Sequence, residues 1–297
     1  MTDVQSQQFR QSIIQKIEDS FYALKQKYSV SESNPMNNEN EPYFVQNSPK
    51  KCVYLLHGFI GSPYEMNNIA LMAKNNGFSL LNDLIPGHGH TAQTSNPYFH
   101  SDWTIAVAEK ISLLRQIFDE IHLVGFSTGA LLLHQYQRMN PEWKASSVTY
   151  YSPYFLPYFK STGFLKKTLS LFSDQVPIRP AYKITRYQDI RVAYLDSEHY
   201  MKHIPLNTAE QISLLGRSEF ELSNHIITTS PTCVFLTECD QVLEYSASHE
   251  VIQRCYKNHR VVSFEKMQKV PHHLMVGSVS KVADQVTQKT LDLILSI

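Results

Sequence analysis

The 297-residue chain has little charge, few cysteines and no long apolar run. Its 27 basic and 27 acidic residues cancel, and charged residues make up 18% of the chain, so a nucleic-acid-binding surface is not expected. No apolar run approaches the roughly 20 residues of a membrane-spanning helix. The N-terminus lacks the basic and apolar segments of a secretory signal. These absences predict a cytoplasmic protein without a transmembrane segment.

Metal sites and disulfides are not expected either. The chain has four cysteines, which are Cys52, Cys233, Cys239 and Cys255. They form no CxxC pair and show no zinc-like histidine spacing, so we expect free thiols in a reducing compartment. His88 and His90 have no Cys or carboxylate partner at ligand spacing. No metal and no cofactor is predicted.

Short apolar runs alternate with helical patterns along most of the chain, which predicts an α/β fold with a mostly parallel central sheet flanked by helices. Residues 51–151 and 226–297 carry this alternation and are predicted to form the core. Residues 152–225 lose it, are rich in aromatic residues, Pro and Lys, and are predicted to be an inserted lid or cap. Residues 1–30 predict an amphipathic helix, and the Ser-, Asn- and Pro-rich residues 31–50 a linker.

One short motif indicates a nucleophile. Residues 125–129 read Gly-Phe-Ser-Thr-Gly and fit the pattern G-x-S-x-G. A predicted strand over Ile121–Val124 precedes them and a predicted helix over Thr128–Met139 follows, which is the setting of a nucleophile elbow. Ser127 is therefore the predicted nucleophile. Because a serine hydroxyl is a weak nucleophile at neutral pH, the motif also predicts a histidine and a carboxylate later in the chain.

A second motif lies directly after the first predicted core strand. Residues 57–63 read His-Gly-Phe-Ile-Gly-Ser-Pro, at the position where a nucleophile-elbow enzyme needs a loop whose backbone faces the nucleophile. The backbone N–H groups of Phe59 and Thr128 are the predicted oxyanion hole. His57 is predicted to orient this loop and not to act as the base.

With these two motifs the chain resembles serine hydrolases of the α/β-hydrolase superfamily, and among them bacterial carboxylesterases and monoacylglycerol lipases. Residues 83–89 (Asp-Leu-Ile-Pro-Gly-His-Gly) and 102–103 (Asp-Trp) add to the resemblance, which covers roughly residues 50–297. It implies the chain order serine, acid, histidine, with the acid after the strand that follows the insertion. Asp240 is the acid so implied, and Glu238 is its rival.

The base is expected in the loop after the last strand, which contains two adjacent histidines, His272 and His273. Adjacent side chains cannot both point at Ser127. The family usually has a small residue before the base and apolar residues after it, and Leu274 and Met275 follow His273. His273 is therefore the predicted base, with His272 as the alternative.

The resemblance implies hydrolysis of carboxylic esters with a short to medium acyl chain, through an acyl-enzyme and without a cofactor. The expected partner is a small-molecule acyl ester, and a monoacylglycerol is one candidate. Phe155 and Phe159 are predicted to line an apolar acyl pocket, although aromatic residues of the insertion could equally be core. A thioesterase or acyltransferase with the same triad is an alternative. A hydrolase-fold binding protein without turnover is another, and it would lack a triad member.

Overall fold

The structure of the chain is a computed structural model, and it describes residues 3–28, 36–158, 173–178 and 198–297. Strands of the main sheet are β1 (Tyr43–Val45), β2 (Lys51–Leu56), β3 (Ser79–Asp83), β4 (Glu120–Phe126), β5 (Ser147–Tyr151), β8 (Thr232–Thr237) and β9 (His259–Phe264). A separate antiparallel pair is formed by β6 (Gln175–Pro177) and β7 (His203–Pro205). The described helices are α1 (Asp3–Tyr28), α2 (Asn67–Asn75), α3 (Ala92–Ser95), α4 (His100–Leu114), α5 (Thr128–Met139), α6 (Leu206–Leu222), α7 (Tyr245–Cys255) and α8 (Ala283–Leu295).

The seven strands of the main sheet lie in the order β1-β3-β2-β4-β5-β8-β9. All neighbours are parallel except β1, which runs antiparallel to β3. Ligand sites of such sheets lie at the carboxyl ends of the strands. The register pairs Leu56 of β2 with Gly125 of β4, so the loops that follow these two strands begin side by side. This confirms the predicted mostly parallel sheet with flanking helices.

The core lies on both faces of the sheet because successive side chains of a strand point to opposite faces. In β2, Tyr54 and Leu56 join the cluster packed by α1, α4, α5 and α7, whereas Val53 and Leu55 join the cluster packed by α2 and α8. These buried strands carry apolar residues on both faces, as parallel strands covered by helices do.

The helix predicted within residues 1–30 spans Asp3–Tyr28 and packs on the body of the protein. Its apolar stripe includes Ile13, Ile17 and Phe21, all of which are buried in the same cluster as α4. Arg10 donates a hydrogen bond of 2.8 Å to the carbonyl of Pro49, and its guanidinium lies over an aromatic ring of the main body. Apolar burial and this charged contact together hold the helix against the α/β core.

The prediction that residues 31–50 form a linker is wrong for part of that range. Tyr43–Val45 is an edge strand that pairs with β3, and Asn38–Asn40 forms a 3-10 turn before it. The three strand residues are aromatic or β-branched, as is typical of a sheet. The linker prediction rested on the many polar residues and prolines around them. Strand pairing is a nonlocal contact, and local composition does not contain it.

The predicted lid or cap over residues 152–225 is only partly described, because residues 159–172 and 179–197 lie outside the described ranges. The last part of the insertion is the 17-residue helix α6, which packs on α4 and α5 with Ile212 and Leu215 in the core. A Cβ on Gly216 would lie 2.4 Å from the carbonyl oxygen of Phe155. The close approach that this glycine permits makes α6 part of the main body. Across the described ranges, no helix has the length and apolar character needed to cross a bilayer.

Four buried histidines are held neutral in the core. Burial lowers the pKa of His88 and His122 to about 4 and that of His134 to about 3, and it lowers the pKa of His57 well below its ordinary value. Both ring nitrogens of His134 have hydrogen-bond partners, the hydroxyls of Tyr256 at 2.8 Å and Ser223 at 2.7 Å. Burial disfavours the charged imidazolium in all four rings, so protonation opposes the folded state.

This burial predicts an acid-labile fold. Between about pH 6.5 and pH 4 the unfolded chain binds protons that the folded histidines reject, so the free energy of unfolding should fall as the pH is lowered. Each histidine contributes at most about 1.4 kcal/mol per pH unit to this slope. Urea denaturation at a series of pH values measures it, and His122→Gln should reduce the slope. A free energy of unfolding that stays flat from pH 6.5 to pH 4 would contradict the neutral, buried state of these rings.

An ion pair between α5 and α6 gives a second stability prediction. Arg138 donates to both carboxylate oxygens of Glu219 at 2.6 and 2.7 Å, and the Glu219 side chain is 1% exposed. Arg138→Ala should lower the free energy of unfolding by about 3–5 kcal/mol, because it leaves a buried carboxylate without its partner. Lys51→Ala is the control, since the Lys51–Glu120 pair is 42% and 32% exposed and should contribute less than about 1 kcal/mol. Equal losses in the two variants would contradict the prediction.

Candidate active site

Ser127 sits on a sharp turn between β4 and α5. Its backbone has φ 49° and ψ −110°, a conformation that L-residues rarely adopt. A Cβ on Gly125 would lie 2.7 Å from backbone atoms of Ala130, and one on Gly129 would lie 2.3 Å from the carbonyl oxygen of Leu56. Both glycines of the motif are therefore required by close backbone contact. The structure has the strand, turn and helix that the motif predicts.

Asp240 lies in the turn after β8, and its carboxylate is fully engaged. Oδ1 accepts hydrogen bonds from the backbone N–H groups of Val242 at 2.8 Å and Leu243 at 3.0 Å. Oδ2 lies 2.6 Å from Nδ1 of His272. Two fixed backbone donors hold the carboxylate in one orientation, with its second oxygen facing the imidazole.

His272 bridges Asp240 and Ser127. Its Nε2 lies 3.0 Å from Oγ of Ser127, and both side chains are almost fully buried. Because a carboxylate only accepts hydrogen bonds, the Asp240 contact places the proton of a neutral imidazole on Nδ1. Nε2 is then the acceptor for the Ser127 hydroxyl. This is the arrangement in which an imidazole can remove the serine proton.

The expectation that His273 is the residue facing Ser127 is wrong, and the alternative, His272, occupies that position. The two rings are 5.5 Å apart at an angle of 85°, so they point in different directions from the same loop. Nε2 of His273 lies 3.5 Å from Oε1 of Glu65, on the side of the loop formed by residues 57–63. Leu274 and Met275, which favoured His273 in the sequence, are completely buried and would be apolar for either assignment.

The rival carboxylate Glu238 points away from the site. Its side chain is exposed, and Oε2 accepts a hydrogen bond of 3.2 Å from the backbone N–H of Lys266. Asp240 and Glu238 are two residues apart at the end of a strand, and the turn buries the first and exposes the second. The geometry therefore favours Asp240 as the sequence analysis did.

The two predicted oxyanion donors lie on backbone segments that touch. Thr128 is the first residue of α5, where backbone N–H groups have no acceptor within the helix. The next residue, Gly129, packs against the carbonyls of Leu56 and His57, where the loop carrying Phe59 begins. Both ring nitrogens of His57 are engaged: Nδ1–H donates 2.8 Å to the Gly58 carbonyl, and Nε2 accepts 3.0 Å from the N–H of Ile85.

The oxyanion loop, residues 57–63, is held from outside by contacts that the sequence analysis missed. Gly58 N–H donates 2.8 Å to Oε2 of the buried Glu65. Ile60 has φ 55°, and its carbonyl accepts 3.0 Å from the N–H of Met201 near the end of the insertion. A β-branched residue at positive φ is strained, so the loop needs such external contacts.

Asn40 is a further residue that the sequence analysis missed, because it lies in the segment interpreted as a linker. It is 3% exposed, and its amide donates to the carbonyls of Gly89 at 3.0 Å and Glu198 at 3.2 Å. Its Oδ1 accepts 2.7 Å from the hydroxyl of Ser62 in the oxyanion loop. A cavity of about 600 Å³ lies beside Asn40 and is lined by parts of residues 36–40, 89–93 and 198–203. No local pattern distinguishes this asparagine from its neighbours Asn37 and Asn38, which are half-buried and exposed.

The two predicted pocket residues differ in outcome. Phe155 is completely buried, and its ring packs edge-on against His134 at 4.9 Å between ring centres. The prediction that it lines an acyl pocket is wrong, because the ring belongs to the core between α5 and α6. Phe159 lies outside the described residues. Of the described residues, no three or more His, Cys, Asp or Glu side chains cluster so as to hold a metal ion.

The chain matches one known protein family over most of its length. The model of the serine aminopeptidase S33 family (Hydrolase_4) matches residues 47–276. The chain belongs to this family. The range matched by the S33 model includes Ser127, Asp240 and His272 and excludes α1 and β1. The predicted membership of the α/β-hydrolase superfamily is thereby confirmed.

One sequence relative and two solved structures that resemble this chain are described as lipolytic enzymes. The thermostable monoacylglycerol lipase of Bacillus sp. (strain H-257) is 33% identical over 104 residues, which is 35% of this chain and 41% of the relative. A structure described under two metagenome-derived lipolytic enzymes, LipS and LipT, has a TM-score of 0.70 at 15% identity and covers 88% of this chain and 100% of its own. The Paleococcus ferrophilus monoacylglycerol lipase has a TM-score of 0.66 at 14% identity, with 86% and 99% coverage. These structures share the α/β-hydrolase fold.

The carboxylate assignment can be tested directly. Asp240→Asn should lower kcat toward ester substrates by about 10⁴-fold, since an amide at this position favours the wrong imidazole tautomer. Glu238→Gln is the matched control and should leave kcat close to that of the parent. Steady-state kinetics of both variants, with circular dichroism to verify folding, decide the assignment. A damaged Glu238→Gln beside a benign Asp240→Asn would move the acid to Glu238.

Proposed function

We propose that the chain hydrolyses carboxylic esters through an acyl-enzyme on Ser127. The observation that carries this proposal is the unbroken contact from Asp240 Oδ2 to His272 Nδ1 at 2.6 Å and from His272 Nε2 to Ser127 Oγ at 3.0 Å. The strained elbow adds support, because such turns present a nucleophile at the carboxyl edge of the sheet.

In the first half of the reaction, Oγ of Ser127 attacks the ester carbonyl carbon while its proton passes to Nε2 of His272. Asp240 keeps Nδ1–H oriented and stabilises the imidazolium that forms. The tetrahedral intermediate collapses when the bond to the leaving alkoxide breaks, and His272 gives its proton to that oxygen. The alcohol departs and the acyl group remains on Ser127.

In the second half, His272 removes a proton from water, whose oxygen attacks the acyl carbon. The bond to Oγ breaks, His272 returns the proton to Ser127, and the carboxylic acid is released. The backbone N–H groups of Phe59 and Thr128 would stabilise the oxyanion in both halves. Loss of one such donor typically costs about 2.7–4 kcal/mol in the transition state. The reaction needs no cofactor.

For the natural substrate we propose an ester with a short to medium acyl chain, of which a monoacylglycerol is the leading candidate. The Bacillus relative supports this class, although the matched segment covers 41% of that enzyme. The family description favours one other class, the aminopeptidases. A thioesterase or acyltransferase would use the same three residues with a different acceptor or leaving group, so substrate panels must separate them.

The test is turnover of p-nitrophenyl esters of graded chain length and of monoacylglycerols, beside acyl thioesters and amino-acid p-nitroanilides. Ser127→Ala and His272→Ala should each lower kcat by several orders of magnitude, because the triad acts as a unit, and both should stay folded by circular dichroism. His273→Ala should cost far less than His272→Ala. Ester activity within tenfold of the parent in Ser127→Ala would reject the nucleophile, and preferential cleavage of p-nitroanilides would replace the ester proposal with a peptidase.

A further inference from the structure

We propose that Glu65 and His273 are positioning residues that join the oxyanion loop to the loop that carries the base; this rests on the function proposed above. Glu65 lies in the 3-10 turn Pro63–Met66 directly after the oxyanion loop, and its side chain is buried. His273 directly follows His272. A contact between these two side chains therefore spans the two loops whose relative position the chemistry depends on.

The two carboxylate oxygens of Glu65 face different loops. Oε2 accepts 2.8 Å from the N–H of Gly58, the residue before the proposed donor Phe59. Oε1 lies 3.5 Å from Nε2 of His273 and accepts no hydrogen bond from the described part of the chain. A buried carboxylate is costly without a counter-charge, and the His273 imidazole is the cation-capable group that faces it.

The oxyanion loop is shaped around this carboxylate. A Cβ on Gly61 would lie 2.3 Å from Oε2 of Glu65, and a Cβ on Gly58 would lie 3.3 Å from the same atom. The two glycines of the loop thus leave the space that the carboxylate fills. The hydrogen bond to Glu65 fixes the peptide unit that carries the Gly58 N–H, and the bond from His57 Nδ1–H to the Gly58 carbonyl fixes the next unit, which carries the Phe59 N–H. Together the two bonds limit rotation about Gly58.

The loop that carries the base is held at the same place by a second contact. The side-chain amide of Asn68, at the start of α2, donates 3.1 Å to the carbonyl of Met275. The 3-10 turn with Glu65 leads directly into α2, so both contacts connect one structural unit to the His272 loop. Phe126, the residue before the nucleophile, packs its ring against both histidines, at 4.9 Å from His272 and 5.2 Å from His273. Displacement of His273 would be transmitted to the base through this packing.

Three variants separate the contribution of the Glu65–Gly58 hydrogen bond from that of the Glu65–His273 contact. Glu65→Leu removes both contacts. Glu65→Gln keeps an oxygen for the Gly58 N–H but removes the charge that faces His273, and His273→Gln changes only the other partner. Asp83→Asn is the matched control. Asp83 is a similarly buried carboxylate that accepts 2.8 Å from the Tyr54 hydroxyl and 3.0 Å from the Leu84 N–H, between β2 and β3.

The readouts are kcat and KM with a p-nitrophenyl ester, together with the rate at which a fluorophosphonate labels Ser127. Glu65→Leu should lower kcat and the labelling rate about 10–100-fold with KM within about threefold, since a displacement of about 1 Å at reacting groups costs about that much. Glu65→Gln and His273→Gln should be intermediate. Glu65→Leu combined with His273→Gln should resemble Glu65→Leu alone, because the two residues act through one contact.

The proposal is overturned if folded Glu65→Leu keeps kcat and labelling within about threefold of the parent, or if Asp83→Asn loses as much. If Glu65→Leu fails to fold, an unchanged labelling rate in His273→Gln overturns it instead.

Labelling reports serine reactivity whatever the natural substrate is, so a parent that labels but cleaves no ester rejects the ester function alone. Faster hydrogen exchange of the Gly58 amide in folded Glu65→Leu, followed by NMR, would support the contact independently of turnover, and unchanged exchange would oppose it.

Discussion

The backbone of Ser127 is held at φ 49° and ψ −110°, and a residue in such a conformation costs about 1–3 kcal/mol that the surrounding structure must offset. The offset comes from the packing of β4 and α5, in which residues 121–126 and 128–137 are all buried. The Ser127 N–H also donates 2.9 Å to the carbonyl of Tyr151, which ties the turn to the end of β5. Every other part of the site is arranged around the hydroxyl that this turn presents.

Three separate loops then have to meet that hydroxyl, and the sheet brings them together. The proposed oxyanion loop follows β2, Ser127 follows β4 and Asp240 follows β8, while the loop with His272 is tied to β8 by a hydrogen bond of 2.8 Å from the Thr237 hydroxyl to the carbonyl of Val270. Parallel strands end at one edge of a sheet, so residues more than 100 positions apart become neighbours. Contacts made by Asn40, Glu65 and Met201 then fix the loops to one another.

The parts of the site that are predictable from the sequence are those with a local signature. The elbow around Ser127 needs its two glycines within five residues. Asp240 comes three residues after β8, in the turn where the family resemblance implies the acid. The choice between His272 and His273 has no such signature, because it depends on which way two adjacent side chains leave an irregular loop. Asn40 and Glu65 were missed for a related reason, since a buried polar residue is recognised only by its distant partners.

The insertion and the N-terminal region show the same limit at the level of the fold. Strand Tyr43–Val45 exists because β3 offers it an edge, and the Phe155 ring is core because α6 returns over it. Aromatic residues are equally common in cores and in ligand pockets, so composition alone does not separate the two. The packing partner decides the role of each of these residues.

The order of the strands has a consequence for how the enzyme would lose activity on heating. The three strands that precede the oxyanion loop, the nucleophile and the acid are all interior, each flanked on both sides by a hydrogen-bonded neighbour, while β1 and β9 are the outer strands. Partial opening of a protein begins where the fewest buried contacts are lost, which is at the margins of a sheet. Fraying of β1 would leave the reacting groups in place, but the loop that carries His272 follows β9, so fraying of β9 would displace His272 and thermal inactivation should precede cooperative melting of the whole core.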